Sequence, residues 1–294
     1  MNAKVNITNR AGASFPVRRM NFDFDNVPEY WMNGSAGLTH FMTALSALFP
    51  AGEKFFIDSV RAVRQHPAIK DNEALQKEIS AFIGQEAMHT HEHVGFNASA
   101  QKFGHDVDTL DRYTDKVIQT TRKFMAKVGK PIGITQEMVD LTATTALEHF
   151  TATIASELLR NPHIQALMTD QTMATMWAWH AIEENEHKAV AYDVFEGVFG
   201  RGGYKAYALR TGSLTIAMVI LFITQSYFLA RLLKEDKQLN LKSLKEIYAY
   251  AYSPSKGIIT GMGKEMLAYF KPGFHPNDLD TVGLLETWKA KLGF

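Results

Sequence analysis

Two Glu-x-x-His pairs constrain this chain more than any other feature of its 294 residues: Glu86/His89 and Glu184/His187. Side chains three apart share one face of a helix, whereas on a strand they point to opposite faces. Either pair can grip a single ion only if its segment is helical. The surrounding sequence agrees. Beyond an N-terminal stretch, apolar positions recur three and four apart, and no stretch shows strand-like alternation. The nine prolines fall mostly where helices should start or stop. The spacing predicts helices over about 51–65, 71–102, 107–128, 135 or 136 to 160, and 170–199. Pro50, Pro67, Gly104, Gly129, Pro131, Pro162 and Gly200 punctuate them. The fold class is all-α.

Two further carboxylates complete a pattern. Glu53 lies on the helix before Glu86, and Glu148 on the helix before Glu184. Both sit among apolar neighbours, where an unpaired carboxylate is costly to bury. The order Glu, Glu-x-x-His, Glu, Glu-x-x-His is the ligand set of a di-metal carboxylate four-helix bundle, with 107–128 as the crossover helix between two hairpins. One Glu-x-x-His alone is common on helix surfaces; two, each preceded by a core-flanked glutamate, are specific. Asp58 is the competitor to Glu53. His180 precedes Glu184 by four and His187 by seven, so it shares their stripe and is a candidate seventh ligand, with a core histidine as the alternative. His149 points about 100° away from Glu148 and reads as support or packing. His91 falls on the far side of its helix, and His93, four after His89, can reach the site. Glu183 and Glu186 read as surface groups or supports.

Composition narrows the chemistry. There is no cysteine, so any metal must be held by histidine and carboxylate. That donor set suits iron, with zinc or manganese as alternatives. The formal net charge is zero, which argues against nucleic acid as a partner. The N-terminal MNAKVNITNRAGASF lacks the apolar run of a secretory signal, so the expected compartment is the cytoplasm. Residues 211–230 are uncharged, between Arg210 and Arg231. As a helix they would be about 30 Å long, the hydrocarbon thickness of a bilayer. They read as a central helix packed on all sides, as the lining of an apolar cavity, or as a peripheral membrane contact.

From Phe55-Phe56 through Gln85-Glu86-Ala87-Met88-His89 to Trp179-His180 and Glu186-His187-Lys188-Ala189-Val190, the chain resembles a bacterial family labelled predicted metal-dependent hydrolases. Its ligand pattern also resembles the ferritin-like di-iron oxygenases, and His180 in particular is similar to the extra histidine of the arylamine N-oxygenases. The resemblance implies an irregular arm over 1–35 and a single ferritin-like domain over 36–294, with the metal-binding bundle at about 50–200 and additional C-terminal helices at about 205–294. It implies two iron ions bridged by Glu86 and Glu184. Glu53 and His89 would complete one, and Glu148, His187 and His180 the other. The implied reaction is O₂-dependent oxidation of a hydrophobic or aromatic small molecule, with electrons from an external donor. Hydrolysis by di-metal-activated water is the alternative, and non-catalytic iron binding a third. Met88, Met173, Met176, Trp177 and Trp179 favour an apolar substrate. A homodimer is a compatible assembly.

Overall fold

A computed structural model describes residues 5–200 and 202–294, and residues 1–4 of the N-terminal arm lie outside it. Twelve α-helices are present among the described residues: α1 Ala36–Ser46, α2 Phe49–Val63, α3 Glu73–Gln101, α4 Val107–Gly129, α5 Gln136–Arg160, α6 Pro162–Leu167, α7 Gln171–His187, α8 Val190–Phe199, α9 Tyr204–Glu235, α10 Leu241–Tyr252, α11 Ile258–Ala268 and α12 Val282–Leu292. Local chemistry sets most of their starts. The side chains of Asn72, Asp106, Thr135 and Asp170 each accept a backbone N–H three residues on, and Pro50 occupies the first turn of α2.

Three expectations are corrected. The arm is irregular except for one short antiparallel hairpin, β1 (Asn6–Thr8) paired with β2 (Val17–Arg19). Strands of three residues are too short to show an alternating pattern in sequence. The helix expected over 170–199 is two helices, broken at Lys188–Ala189. No glycine or proline marks that break. The buried Lys188 amine donates to Leu279 O and Thr281 Oγ1, a long-range contact that local sequence does not encode. The 211–230 segment is the middle of the longer helix α9, and it is not packed on all sides. Only 22% of its most apolar window is buried.

Helix α2 packs on α3 and α5, and α7 packs on α5 and α3, closing a ring of four. Each helix of that ring repeats one layering. On α2, Glu53 lies between Phe49 and Phe56; on α3, Glu86 and His89 lie between Phe82 and Phe96; on α5, Glu148 lies between Leu141 and Leu158. On α7, Glu184 and His187 follow Trp177 and Ile182, with Val190 and Val194 beyond. A belt of acids and imidazoles is thus held between two apolar plugs.

The arm lies along α3 at two glycines. A Cβ on Gly84 would come within 2.8 Å of Val17 Cγ2, and one on Gly95 within 2.9 Å of Phe24 Cε2. This close approach lets β2 send Arg18 inwards, where it is 2% exposed.

Candidate metal centre

The structure brings all seven sequence-predicted residues together. Glu53, Glu86, His89, Glu148, His180, Glu184 and His187 are all buried. His187 Nε2 lies 3.1 Å from Glu86 Oε1, 3.4 Å from Glu148 Oε2 and 3.7 Å from Glu184 Oε2. His89 Nδ1 lies 3.9 Å from Glu86 Oε1 and 3.4 Å from Glu184 Oε1. Donor atoms of Glu53, Glu86 and His89 fall within 4.8 Å of one another, as do those of Glu86, Glu184 and His187. Glu86 belongs to both groups.

Four carboxylates cannot share a dry pocket as free anions. Burial, with neighbouring Glu86, holds the Glu53 carboxyl well above the ordinary range. Burial also raises Glu86, and burial with Glu86 beside it pushes Glu148 up to about 8. Glu184 goes the other way. Against its burial, a hydrogen bond from His180 and the neighbouring imidazoles of His187 and His89 hold it well below the usual carboxylate range. Burial would lower His89, but its hydrogen bond to Glu183 and the nearby Glu184 carboxylate lift it to about 10. His187 is likewise held high, against burial, by Glu148, Glu184 and Glu86.

Whether these residues fit a metal is decided by the atoms left over. Glu53 Oε1, both oxygens of Glu86, both of Glu148, Glu184 Oε2, His89 Nδ1 and His187 Nε2 are buried without a hydrogen-bond partner. Orphaned polar atoms are rare in folded interiors. Here they are the atoms a cation would take, so the donor set fits a metal centre. The remaining atoms of the same residues are tied down. Thr90 Oγ1 donates to Glu53 Oε2 at 2.8 Å. His89 Nε2 pairs with Glu183 Oε2 at 3.1 Å, and His187 Nδ1 with Gln85 Oε1 at 2.8 Å. Such partners fix which ring nitrogen faces the ion.

Those partners meet at one cation. Arg18 Nη1 donates to Glu183 Oε1 at 3.0 Å and to Glu186 Oε2 at 2.7 Å, while Gln85 Nε2 donates to Glu186 Oε2 at 2.9 Å. Sequence reasoning missed Arg18 and Gln85. Gln85 is adjacent to Glu86 and so could have been suspected, but nothing local distinguishes Arg18 from Arg19. Glu183 and Glu186, left open between surface and support, both support the histidines.

His180 differs from the resemblance in one respect. The resemblance places it with Glu148 and His187, whereas in the structure it faces the other group. His180 Nε2 is 2.8 Å from Glu184 Oε1, its ring stacks on His89 at 4.1 Å, and it can share an ion with His89 and Glu184. Seven residues separate it from His187, about 10 Å along the helix, so the two flank Glu184. His93 reaches the edge of the belt, where its donor atom falls within 4.8 Å of those of Glu53 and His180: its Nε2 lies 2.7 Å from His180 Nδ1, and its Nδ1 2.8 Å from Ser46 Oγ. His91 is exposed, and His149 turns away to Glu265 O at 3.1 Å. Asp58 is exposed and pairs with Lys54, leaving Glu53 as the acid of α2 in the belt.

A family model described as "Predicted metal-dependent hydrolase" matches residues 16–280. The chain belongs to that family. No curated protein and no solved structure matches it. The family's description is itself a prediction of metal dependence, and the buried glutamate–histidine groups of this member are able to hold metal.

Beside the belt is a cavity of about 310 Å³. Phe49 and Glu53 of α2, Leu147 and Thr151 of α5, and residues of α4 and α9 line it. It is overwhelmingly apolar, as small-molecule sites usually are, and Glu53 is where it meets the belt.

Proposed function

We propose that this member of the family is a two-metal enzyme acting on a small apolar molecule held in the cavity that ends at Glu53. The observation that carries it is the set of partnerless buried donors on Glu53, Glu86, Glu148, Glu184, His89 and His187, next to an apolar cavity. Glu86 and Glu184 would bridge, in a ferritin-like four-helix arrangement of α2, α3, α5 and α7. When bound, such a pair supplies Lewis acidity and a water of lowered pKa, and iron adds one-electron chemistry with dioxygen.

The chain's own residues have separate tasks. The four carboxylates would balance the charge of two divalent ions. Glu183 and Gln85 orient the two imidazoles, and Arg18 anchors Glu183 and Glu186 beneath them. Phe49 and Leu147 exclude bulk water from the Glu53 side and leave room for an apolar chain or ring.

Hydrolysis is the reaction that the family description supports. A second reading, O₂-dependent oxidation with an external electron donor, is favoured by the donor set and by the cavity wall. The carboxylate-rich pattern is that of the di-iron bundles, and the wall offers few polar groups to hold the oxyanion of a hydrolytic intermediate. Metal analysis of protein purified without added metal, followed by oxygen-uptake measurement on the reduced protein, separates the two. Zinc or manganese with no oxygen uptake supports hydrolysis. Iron with stoichiometric uptake supports oxidation. Protein that takes up no metal under any loading condition defeats both.

A further inference from the structure

The same helices that wall the cavity leave an apolar surface uncovered. Val219, Phe222 and Ile223 on α9 are 55%, 62% and 61% exposed, and Phe124 on α4 is 61% exposed. Two observations say what belongs there. First, the surface and the cavity are continuous. Val128, Ile132 and Ile216 line the cavity, yet they are 57%, 71% and 38% exposed. Second, the exposed charge on these segments is positive. Residues 116–136 and 202–234 contain no aspartate or glutamate and expose Lys116, Lys123, Lys127, Lys130, Lys205 and Lys234, while Arg122 pairs with Asp140, Arg231 pairs with Asp106 and Glu235, and Arg210 is buried. An apolar face bearing exposed lysines complements an anionic bilayer, whose headgroups attract the lysines while the acyl region takes the aromatic and aliphatic side chains.

Among the described residues, helix α9 alone is long and apolar enough to cross a membrane. Its inner face prevents that. Arg210 donates to Tyr269 O and Lys271 O, Leu214 packs with Tyr192 and Tyr269, and Phe228 and Leu232 pack with Val107 and Leu110. The C-terminal end is clamped as well: Asp236 accepts from Tyr30 Oη at 3.0 Å and lies 2.7 Å from His40 Nε2. Fastened along its length, α9 can lie in an interface but cannot stand across one.

We infer that the α4–α9 face docks on an anionic bilayer surface and that the cavity takes its ligand, a lipid-like acyl chain, sideways from that bilayer. This rests on the proposal that the cavity holds the substrate. Binding is read without turnover, so a wrong assignment of the reaction leaves it standing, and its own failure leaves the metal centre untouched.

The test is co-sedimentation of the full chain with vesicles of phosphatidylcholine, with and without phosphatidylglycerol, alongside light scattering for oligomeric state. The protein should pellet with the phosphatidylglycerol vesicles and stay in solution with phosphatidylcholine alone. Each of Lys123→Ser and Lys127→Ser should weaken binding about fivefold, from about 1 kcal/mol per basic residue at such a surface. Phe222→Asp with Ile223→Asp should abolish it. All four positions are exposed, so the fold should not suffer. For the cavity, the fluorescent acyl probe parinaric acid should bind the wild type and lose most of its affinity in Ala217→Trp, whose ring would fill the lining. Equal pelleting with both vesicle types, or none, overturns the membrane face. So does a Phe222→Asp/Ile223→Asp variant that turns a dimer into a monomer while vesicle binding persists, because a second copy then covers the face. Parinaric acid binding that is absent, or indifferent to Ala217→Trp, overturns the acyl ligand.

Discussion

The two halves of the belt share a motif and differ in what stands behind it. Glu86-x-x-His89 and Glu184-x-x-His187 each bring one carboxylate and one imidazole to the centre. His89 is backed by the carboxylate of Glu183, His187 by the neutral amide of Gln85. The His89 half also has His180 stacked on it and Glu53 opening onto the cavity, while the His187 half faces Glu148 and is closed. An anionic partner draws the imidazole proton and makes the ring a stronger donor; an amide only orients it. The difference argues for two inequivalent positions, with the one beside the cavity held by the histidine whose partner is a carboxylate.

The comparison breaks most easily at the residues common to both halves. Glu86→Ala and Glu184→Ala should each lose most of the metal from both positions, read as metal content of the purified variant. Full occupancy in both variants would mean that these carboxylates do not bridge. Proton competition comes next. In the metal-free belt, Glu148 titrates at about 8 and His89 at about 10, so each is protonated below those values, and metal must displace those protons. Affinity should therefore rise as pH climbs through neutrality and on towards about 10, with protons released on binding. Calorimetry in buffers of different ionisation enthalpy measures that release, and a pH-independent affinity would rule out these carboxyls and imidazoles as ligands.

Glu183→Gln sharpens the asymmetry directly. It should weaken one of the two ions about 10- to 100-fold and spare the other, the usual effect of removing a partner behind a ligating histidine. Gln85→Leu should cost less, because only orientation is lost. Equal losses in the two variants would make the halves equivalent. The smallest effect on metal content belongs to His180→Ala. Six donors remain, so both ions should stay bound, and the change should show in reactivity at the cavity-side ion. Stopped-flow mixing of the reduced iron-loaded variant with O₂ reads this, and an unchanged trace would leave His180 a core histidine.

Much of this was legible because helical spacing is a strict ruler. Glu-x-x-His forces two donors onto one face, and capping side chains such as Asn72, Thr135 and Asp170 announce where that face begins. Five of the seven candidate ligands came from that arithmetic, and Glu53 and Glu148 from their apolar neighbours on the preceding helices. Arg18 did not, because an arginine in a three-residue strand carries no periodic signal; its role depends on Gly84 admitting β2 to the surface of α3. The side of Glu184 to which His180 turns was equally hidden. Helical position places it on the stripe, but its partners, His89 and His93, belong to another helix. The break at Lys188 and the bare outer face of α9 have the same origin in contacts made, or left unmade, by residues remote in sequence.

The central claim is that two ions sit between the Glu86 and Glu184 carboxylates. Anomalous diffraction from crystals of protein purified with its own metal, recorded above and below the iron, zinc and manganese edges, tests it most directly. Two peaks should appear, one beside His89 and Glu53, the other beside His187 and Glu148, and the edge at which they appear names the metal. A single peak, or peaks only elsewhere such as between His40 and His105, would contradict it.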